Sequence, residues 1–510
     1  VEDNEVEDGI LLIGERELQL PELPLDFLNT NPAMTEDNKL LVQGDMVLTL
    51  DQAAKLYGGR TGRKATYKDE YLWPNGEIPY KLSKQSKLDE DVIKSALQFW
   101  MDSTCVKFRE LKTYEKAPNY LYFVRENGCW SSVGMVENEQ KISIGPGCDK
   151  KQVIMHEVGH ALGFHHEQSR SDRDNHVVLF LENVDPDMRF NFKKERDNNY
   201  SVEYDYTSLM HYQLDGYSID PFEVRTLMPK NPLDAYLITE KSGLSFRDIK
   251  LANLMYKCGS HCRNQLTCYH GGYIGPDCSC RCPPGTRGRQ CGSKFQDYYP
   301  PNVCGEMVTS ERIISSPGFP DQQKKDTTCI WWIQAPYGKR VQLVTKAFEL
   351  ENRYVGTKDT VLHKKCIWDK LDVRTDNLYM GTIYCGEEIK KGEVFTSSAR
   401  DLVLEYHAMS PYRKGFQFNV EFLPVRRFNS DIGKSCGNSF KMKYDVSYHV
   451  TTPKYPNNYE PETKCEYTFW APSSTDRLHL HFYDFIFEKS LSCSKDNVTI
   501  ESLVTGDTQV

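Results

Sequence analysis

The sequence predicts a multidomain protein: an α+β domain in the first half, a small disulfide-rich module after it, and all-β sandwiches at the end. Three observations predict this. The chain has 510 residues, which at ~100–200 residues per domain means three to five domains. Its 17 cysteines are clustered, as in disulfide-stapled extracellular modules rather than reduced intracellular proteins. Apolar periodicity also changes along the chain. Helical and strand patterns mix before residue 258, and alternating aromatic-rich strands dominate beyond residue 303.

Composition narrows the class. Hydrophobic residues at 39% and charged residues at 26% fit a globular protein. No run of ~18 uncharged apolar residues occurs, which excludes a membrane-spanning helix of ordinary length. A net charge of −9 argues against nucleic acid as the main partner. Much of that charge is local, since residues 1–63 carry 13 acidic and 5 basic side chains. The acidic opening Val1-Glu2-Asp3 does not read as a secretory signal. Sequons at Asn199 and Asn497 fit glycosylation in a secreted chain.

Residues 1–63 lack cysteine and show only short apolar runs, Leu40–Val42 and Met46–Leu50. They end in Gly58-Gly59-Arg60-Thr61-Gly62-Arg63-Lys64, a solvated, protease-accessible stretch. This predicts a pro-segment cleaved at Arg63 or Lys64. Residues 64–258 read as the α+β domain. Ile78, Tyr80 and Leu82 alternate as a strand, and Val106–Phe108 and Tyr120–Val124 read as two more. Val92, Ala96, Phe99 and Trp100 follow helical spacing and predict a helix from Leu88 to Ser103, capped by Ser86. Residues 259–292 hold six cysteines among Gly and Pro, so disulfides must hold that module. Residues 303–424 and 435–510 both start Cys-Gly and read as repeated sandwiches, the second truncated.

The chemistry is concentrated at residues 156–166, His-Glu-Val-Gly-His-Ala-Leu-Gly-Phe-His-His. On a helix, His156 and His160 lie one turn apart on one face and converge on one ion. Glu157 sits beside the first ligand, placed to act as general base. Gly163 lets the backbone leave the helix in a left-handed turn that brings His166 back as third ligand. Three neutral imidazoles leave a fourth position open on zinc. A chance His-Glu-x-x-His is expected only ~0.02 times in such a chain. His165 is one residue off the spacing and should point elsewhere. A distant Glu as third ligand is the rival arrangement, and His166 argues against it.

The run from His156 to Asp174 resembles the signature of astacins within the metzincin metalloproteases. Ser208-Leu209-Met210-His211-Tyr212 resembles their Met-turn. The resemblance implies that Met210 floors the metal, that Tyr212 is a movable residue stabilising the oxyanion, and that His211 is no ligand. Asp69–Trp73 and Ile78-Pro79-Tyr80 resemble the mature start of the family, so the mature terminus would lie near Lys64 or Ala65. Its new amine would pair with Glu167. Val42-Gln43-Gly44-Asp45 resembles the family's aspartate switch, which implies that Asp45 ligates zinc in the zymogen, with Val42 replacing the usual aromatic residue. Gly128–Gly134 is similar to the segment before the cleft's edge strand, expected near Lys141–Ile144, on which an extended substrate adds as a strand. Lys230 and Arg225 follow the Met-turn, and a cation there would favour an acidic substrate side chain.

Disulfides Cys105–Cys258 and Cys129–Cys148 are implied in the protease domain. The six-cysteine module resembles an EGF-like module, implying Cys262–Cys278, Cys268–Cys280 and Cys282–Cys291. The sandwiches resemble CUB domains, implying Cys304–Cys329, Cys366–Cys385 and Cys436–Cys465, with Cys493 left without a partner. Many CUB domains bind calcium. Glu351 and Asp369 match two of the ligand positions in the first, where the third falls near Ala408; Glu488 and Asp496 are the candidates in the second. Together these readings imply a secreted astacin-type endopeptidase made as a zymogen, with one zinc per catalytic domain. Its partners would be an extended peptide substrate, an activating protease, and matrix or substrate proteins held by the EGF-like and CUB modules. A second hypothesis is a catalytically dead protease-like scaffold for extracellular binding; the intact ligand set and Glu157 argue against it.

Overall fold

The computed structural model describes residues 6–7, 10–13, 16–19, 33–34, 39–57, 71–112, 114–136, 138–195, 199–239, 241–263, 266–336, 339–356, 362–424, 428–429, 436–443, 447–448, 450–454, 459–473, 478, 480, 496–501 and 508–509. Arg63, Lys64, Glu488 and Cys493 lie outside the described residues. Among the described residues no helix is long and apolar enough to cross a membrane.

The α+β region is built on a mixed eight-stranded sheet. Its strands are β1 (Leu40–Val42), β2 (Met46–Leu48), β3 (Glu77–Leu82), β4 (Lys107–Glu110), β5 (Tyr120–Val124), β6 (Cys129–Ser132) and β7 (Glu139–Ile144), with the short strand Ala33–Met34 at one end. The spatial order is Ala33–Met34, β1, β2, β6, β7, β5, β3, β4. The apolar runs of the N-terminal segment thus become a hairpin, and helix α1 (Leu50–Tyr57) follows it.

This order corrects the expectation for the edge strand. The segment 141–144 lies inside β7, which pairs parallel with β5 and antiparallel with β6, so both its edges are occupied. The outer strand of residues 71–258 on that side is β6. It is covered by β2 in parallel register, Ser131 opposite Met46 and Ser132 opposite Val47.

Two helices pack under the sheet. Helix α2 (Glu90–Ser103) buries Ile93, Ala96, Leu97 and Trp100, and carries Glu90 and Asp91 in its first turn, where negative charge complements the helix dipole. Ser86 does not cap it. It lies in a preceding 3-10 turn, and its Oγ donates to the Phe123 carbonyl at 2.9 Å, which the strand ahead requires. Helix α3 (Lys151–Ala161) is buried on most of its surface. One apolar core joins Trp73, Trp100, Phe123, Ile142, Val158 and Phe164 around both helices. A Cys105–Cys258 disulfide closes a 153-residue loop across this region, worth about 5 kcal/mol in the chain-entropy treatment. Cys129–Cys148 ties β6 to the turn before α3.

Beyond α4 (Phe246–Met255), the six-cysteine module is held by Cys262–Cys278, Cys268–Cys280 and Cys282–Cys291. The first sandwich then stacks a five-stranded sheet on a four-stranded one. Trp331, Phe348, Tyr406, Phe416 and Phe418 fill its core, and Cys304–Cys329 and Cys366–Cys385 brace it. In the second, Asn438–Lys441 pairs with Tyr467–Trp470, near Cys436–Cys465.

The first sandwich is docked on the α+β region. Ile330 and Val403 share an apolar cluster with Val177, Leu214, Leu227 and Met228. At that contact Glu405, 1% exposed, meets Arg374 and, at 2.6 Å, His407. Arg225 reaches the same carboxylate from the other side at 3.4 Å.

Candidate metal centre and cleft

Helix α3 and the turn after it place three imidazoles around one point. Four backbone carbonyls near the end of α3 lack partners in the helix, and Gly163, at φ +103°, turns the chain back so that its N–H meets the His160 carbonyl at 2.8 Å. His166 is thereby returned to the face of His156 and His160. Each ring is fixed through Nδ1. His156 donates to the Leu209 carbonyl and His160 to the Phe164 carbonyl, both at 2.9 Å, and His166 donates to Gln43 Oε1 at 2.8 Å. A carbonyl oxygen can only accept, so the proton of each neutral ring sits on Nδ1 and the Nε2 lone pair is left pointing inward.

Those inward atoms fit a divalent ion. Asp45, at the tip of the β1–β2 hairpin, completes a set of four ligand atoms all within 4.8 Å of one another. Its Oδ2 lies 3.2 Å from Nε2 of both His156 and His166. The Nε2 atoms of His156 and His160 are 3.0 Å apart, close to the roughly 3.3 Å edge of a tetrahedron of zinc–nitrogen bonds. Two lone pairs at that distance repel unless a cation lies between them.

Glu157, 2% exposed, projects beside this point. Its Oε2 has no hydrogen-bond partner among the described residues. Burial, with the Asp45 charge adding to it, pushes its carboxyl well above the usual range. A basic, dry carboxylate beside a metal position is suited to moving a proton.

The Met-turn is shaped by Asp248, which accepts from Ser208 Oγ at 2.6 Å and Leu209 N at 2.9 Å. Met210 is 1% exposed and belongs to the core around α3. A Cβ on Gly159 would stand 3.1 Å from its Sδ, so glycine makes room for it. Tyr212 Oη donates to the Gln43 carbonyl, and Tyr217 Oη donates to the same oxygen at 3.2 Å. Glu167 is buried, accepts from Asp205 N at 2.8 Å and pairs with Arg170 at 3.0 Å; burial pushes it up to about 8. His211 is no part of the cluster and bonds Tyr204 Oη at 2.8 Å. His165 turns away, its Nδ1 2.8 Å from Glu195 Oε2.

Other expected site residues lie elsewhere. Arg225 is drawn to Glu405 of the docked sandwich, and Lys230 is exposed beside Tyr379, whose Oη donates to its carbonyl. Arg225 is therefore held by a partner far along the chain. Asp369 is filled by protein donors: the N–H groups of Met409, Ser410 and Glu351, and the Gln323 amide. Glu351 pairs with Arg413 at 3.1 Å. Asp496 accepts from Tyr459 Oη. Asn199 is half-buried and Asn497 exposed. Sequence reasoning passed over Gln43, Tyr217 and Glu195, which meet at the hairpin tip; no local pattern marks them, because Gln43 and Glu195 are 152 residues apart.

Fold and site together define a zinc metalloendopeptidase of the metzincin type. The chain belongs to the astacin family of peptidases, whose pattern matches residues 65–257, and CUB domains match residues 304–420 and 436–510. It is 32% identical over 501 residues to Blastula protease 10 of Paracentrotus lividus, covering 90% of this chain and 80% of that one. It is 35% identical over 428 residues to zinc metalloproteinase dpy-31 of Brugia malayi, covering 79% and 68%. Among solved structures, high choriolytic enzyme 1, a hatching enzyme zinc-protease from Oryzias latipes, is 33% identical over 38% of this chain and 99% of that one, with a TM-score of 0.35.

Proposed function

We propose that the chain is a secreted endopeptidase zymogen whose N-terminal hairpin blocks its own metal centre. The observation that carries this is the Asp45 carboxylate, 3.2 Å from two imidazole Nε2 atoms. His156, His160 and His166 would hold zinc, and Asp45 would take the remaining position. Zinc bound there supplies a Lewis acid and acidifies water toward neutral pH.

The other roles fall to the chain's own side chains. Glu157 takes the proton of the attacking water and returns it to the leaving amine. Tyr212 is tied to the Gln43 carbonyl while the hairpin is in place; once released, its phenol donates to the developing oxyanion. Strand β6, uncovered when β2 leaves, receives the extended substrate by backbone pairing. Cleavage near Arg63 and Lys64 produces the new amine. Glu167, buried and already paired with Arg170, gains a second cation partner when that amine arrives.

Residues 259–292 act as an EGF-like spacer, and the CUB domains hold matrix or substrate proteins close to the cleft. The first CUB domain stands without calcium, since Arg413 occupies Glu351; calorimetric calcium binding lost in Glu351→Gln would overturn that assignment. For the main proposal the test is direct. The uncleaved chain should be inert toward a quenched peptide, and trimming to Lys64 or Ala65 should yield turnover that a zinc chelator abolishes. Full turnover before trimming would refute the latch.

A further inference from the structure

Gln43 fills a socket that belongs almost entirely to the protease domain. Its side chain is 0% exposed. The amide nitrogen donates to Glu195 Oε1 at 2.5 Å and to Tyr57 Oη at 3.0 Å. The amide oxygen accepts from His166 Nδ1 at 2.8 Å and Ser169 Oγ at 2.9 Å. Tyr57 Oη also donates to Glu195 Oε1, at 2.8 Å. His165 Nδ1 stands 2.8 Å from the other oxygen, Glu195 Oε2, on the side away from Gln43.

Gln43 and Tyr57 both precede the basic stretch at 60–64 and leave together on activation. What remains is a carboxylate only 2% exposed while the hairpin is seated, now without two of its donors, flanked by the Ser169 hydroxyl and the His166 N–H. Water then reaches that carboxylate, and a substrate side chain that buries it again without N–H donors leaves it unpaired, so an N–H-bearing side chain is favoured over one that has none. Gln43 is two residues from Asp45, whose carboxylate stands at the metal position, so the socket lies within about two residues of where a scissile carbonyl must sit.

We propose that this socket is a specificity site of the active enzyme for a long substrate side chain ending in N–H groups: glutamine, lysine or arginine. Glu195 is its specificity-determining residue, and carboxylate side chains are excluded by like charge. Gln43 is the socket's first occupant and shows the recognition pattern, a donor toward Glu195 and an acceptor toward Ser169. The sign is opposite to the acidic preference that Arg225 in the cleft would give. The inference rests on the zymogen reading, because it requires Gln43 to leave.

The test uses the full chain processed near Lys64 and loaded with zinc. Quenched peptides carry Gln, Lys, Leu or Glu in turn at each of the four positions flanking the scissile bond. At one position Gln and Lys should exceed Glu by about 100-fold in kcat/KM. Glu195→Gln should shrink the Lys-to-Glu ratio to about fivefold or less, and Ser169→Ala should lower Gln relative to Lys by about fivefold. The wild-type peptide series stands even if a variant fails to fold. Cleavage with no preference, a preference for Glu, or a Lys-to-Glu ratio unchanged in Glu195→Gln overturns this inference alone. A processed chain that cleaves no peptide overturns the protease reading with it.

Discussion

Gly44→Ala should unlatch the uncleaved chain without touching any candidate metal ligand. Gly44 stands at φ +88°, and a Cβ there would lie 1.7 Å from Tyr217 Oη. An alanine held in the left-handed region is strained by about 1–2 kcal/mol. Relief of the overlap requires the Tyr217 ring to swing away, which breaks its bond to the Gln43 carbonyl, about 1 kcal/mol more. The sum, about 2–3 kcal/mol, corresponds to a roughly 30- to 150-fold larger fraction of chains with Asp45 off the site. The assay is hydrolysis of a quenched peptide by zinc-loaded chain in which Arg63→Ala blocks processing at that residue. On the zymogen reading residue 44 departs on processing near Lys64, so the fully processed variant and wild type would be the same molecule and share one kcat/KM. Basal activity that stays at the wild-type level would refute the reasoning, because the hairpin tip would then tolerate a side chain the geometry forbids.

Glu157→Gln should lower kcat/KM of the processed enzyme by about 10²- to 10⁴-fold while bound zinc, measured by elemental analysis, stays at one per chain; loss of zinc would make Glu157 a structural residue instead. Glu405→Ala should cost about 3 kcal/mol in denaturant unfolding of the first CUB domain, because the Arg374 guanidinium, 0% exposed, keeps Asp372 at 2.8 Å and the Leu378 carbonyl at 3.2 Å but loses its second carboxylate. A loss under about 1 kcal/mol would contradict this. Burial, with nearby Arg225, pushes Lys370 down to about 8, below its ordinary value of about 10.4. The folded state therefore binds fewer protons than the unfolded state between these values, and stability should rise with pH across that window. Lys370→Met should reduce the slope and add up to about 3 kcal/mol at pH 7, while Lys241, also pushed down to about 8 by burial, keeps a share of it; a melting curve series with an unchanged slope would contradict the assignment.

The metal centre was legible because its logic is local. His156 and His160 share a face through helical spacing, and Gly163 announces the turn that returns His166, all within 11 residues. The hairpin was half legible: Leu40–Val42 and Met46–Leu50 read as apolar runs, and Gly44-Asp45 as a turn. What the runs could not show was a neighbour. Alternation in 129–132 and in 139–144 says which face of a strand is buried, but not which strand lies at its side. The edge therefore reads as β7 from sequence when β6 holds it. The partner of Arg225 was hidden for the same reason: Glu405 lies 180 residues later. Helix α1 escaped notice because eight residues with two charges give too short a period to recognise.

These distant contacts converge on one loop. Residues 212–229 carry Tyr212 and Tyr217, which grip the Gln43 carbonyl. The same loop carries Asp220, paired with Lys365 at 2.5 Å, Glu223, paired with Arg353 at 3.7 Å, and Arg225 on Glu405. The Asp220 and Glu223 pairs are half-exposed and contribute about 0–1 kcal/mol each, so their effect is on position more than on stability. One end of the loop is held by the first CUB domain and the other by the N-terminal hairpin. On the zymogen reading, removal of the hairpin would release only the second hold and free the Tyr212 phenol, while the Tyr212 N–H stays on Gln168 Oε1 at 3.0 Å and the loop's base stays anchored to the first CUB domain.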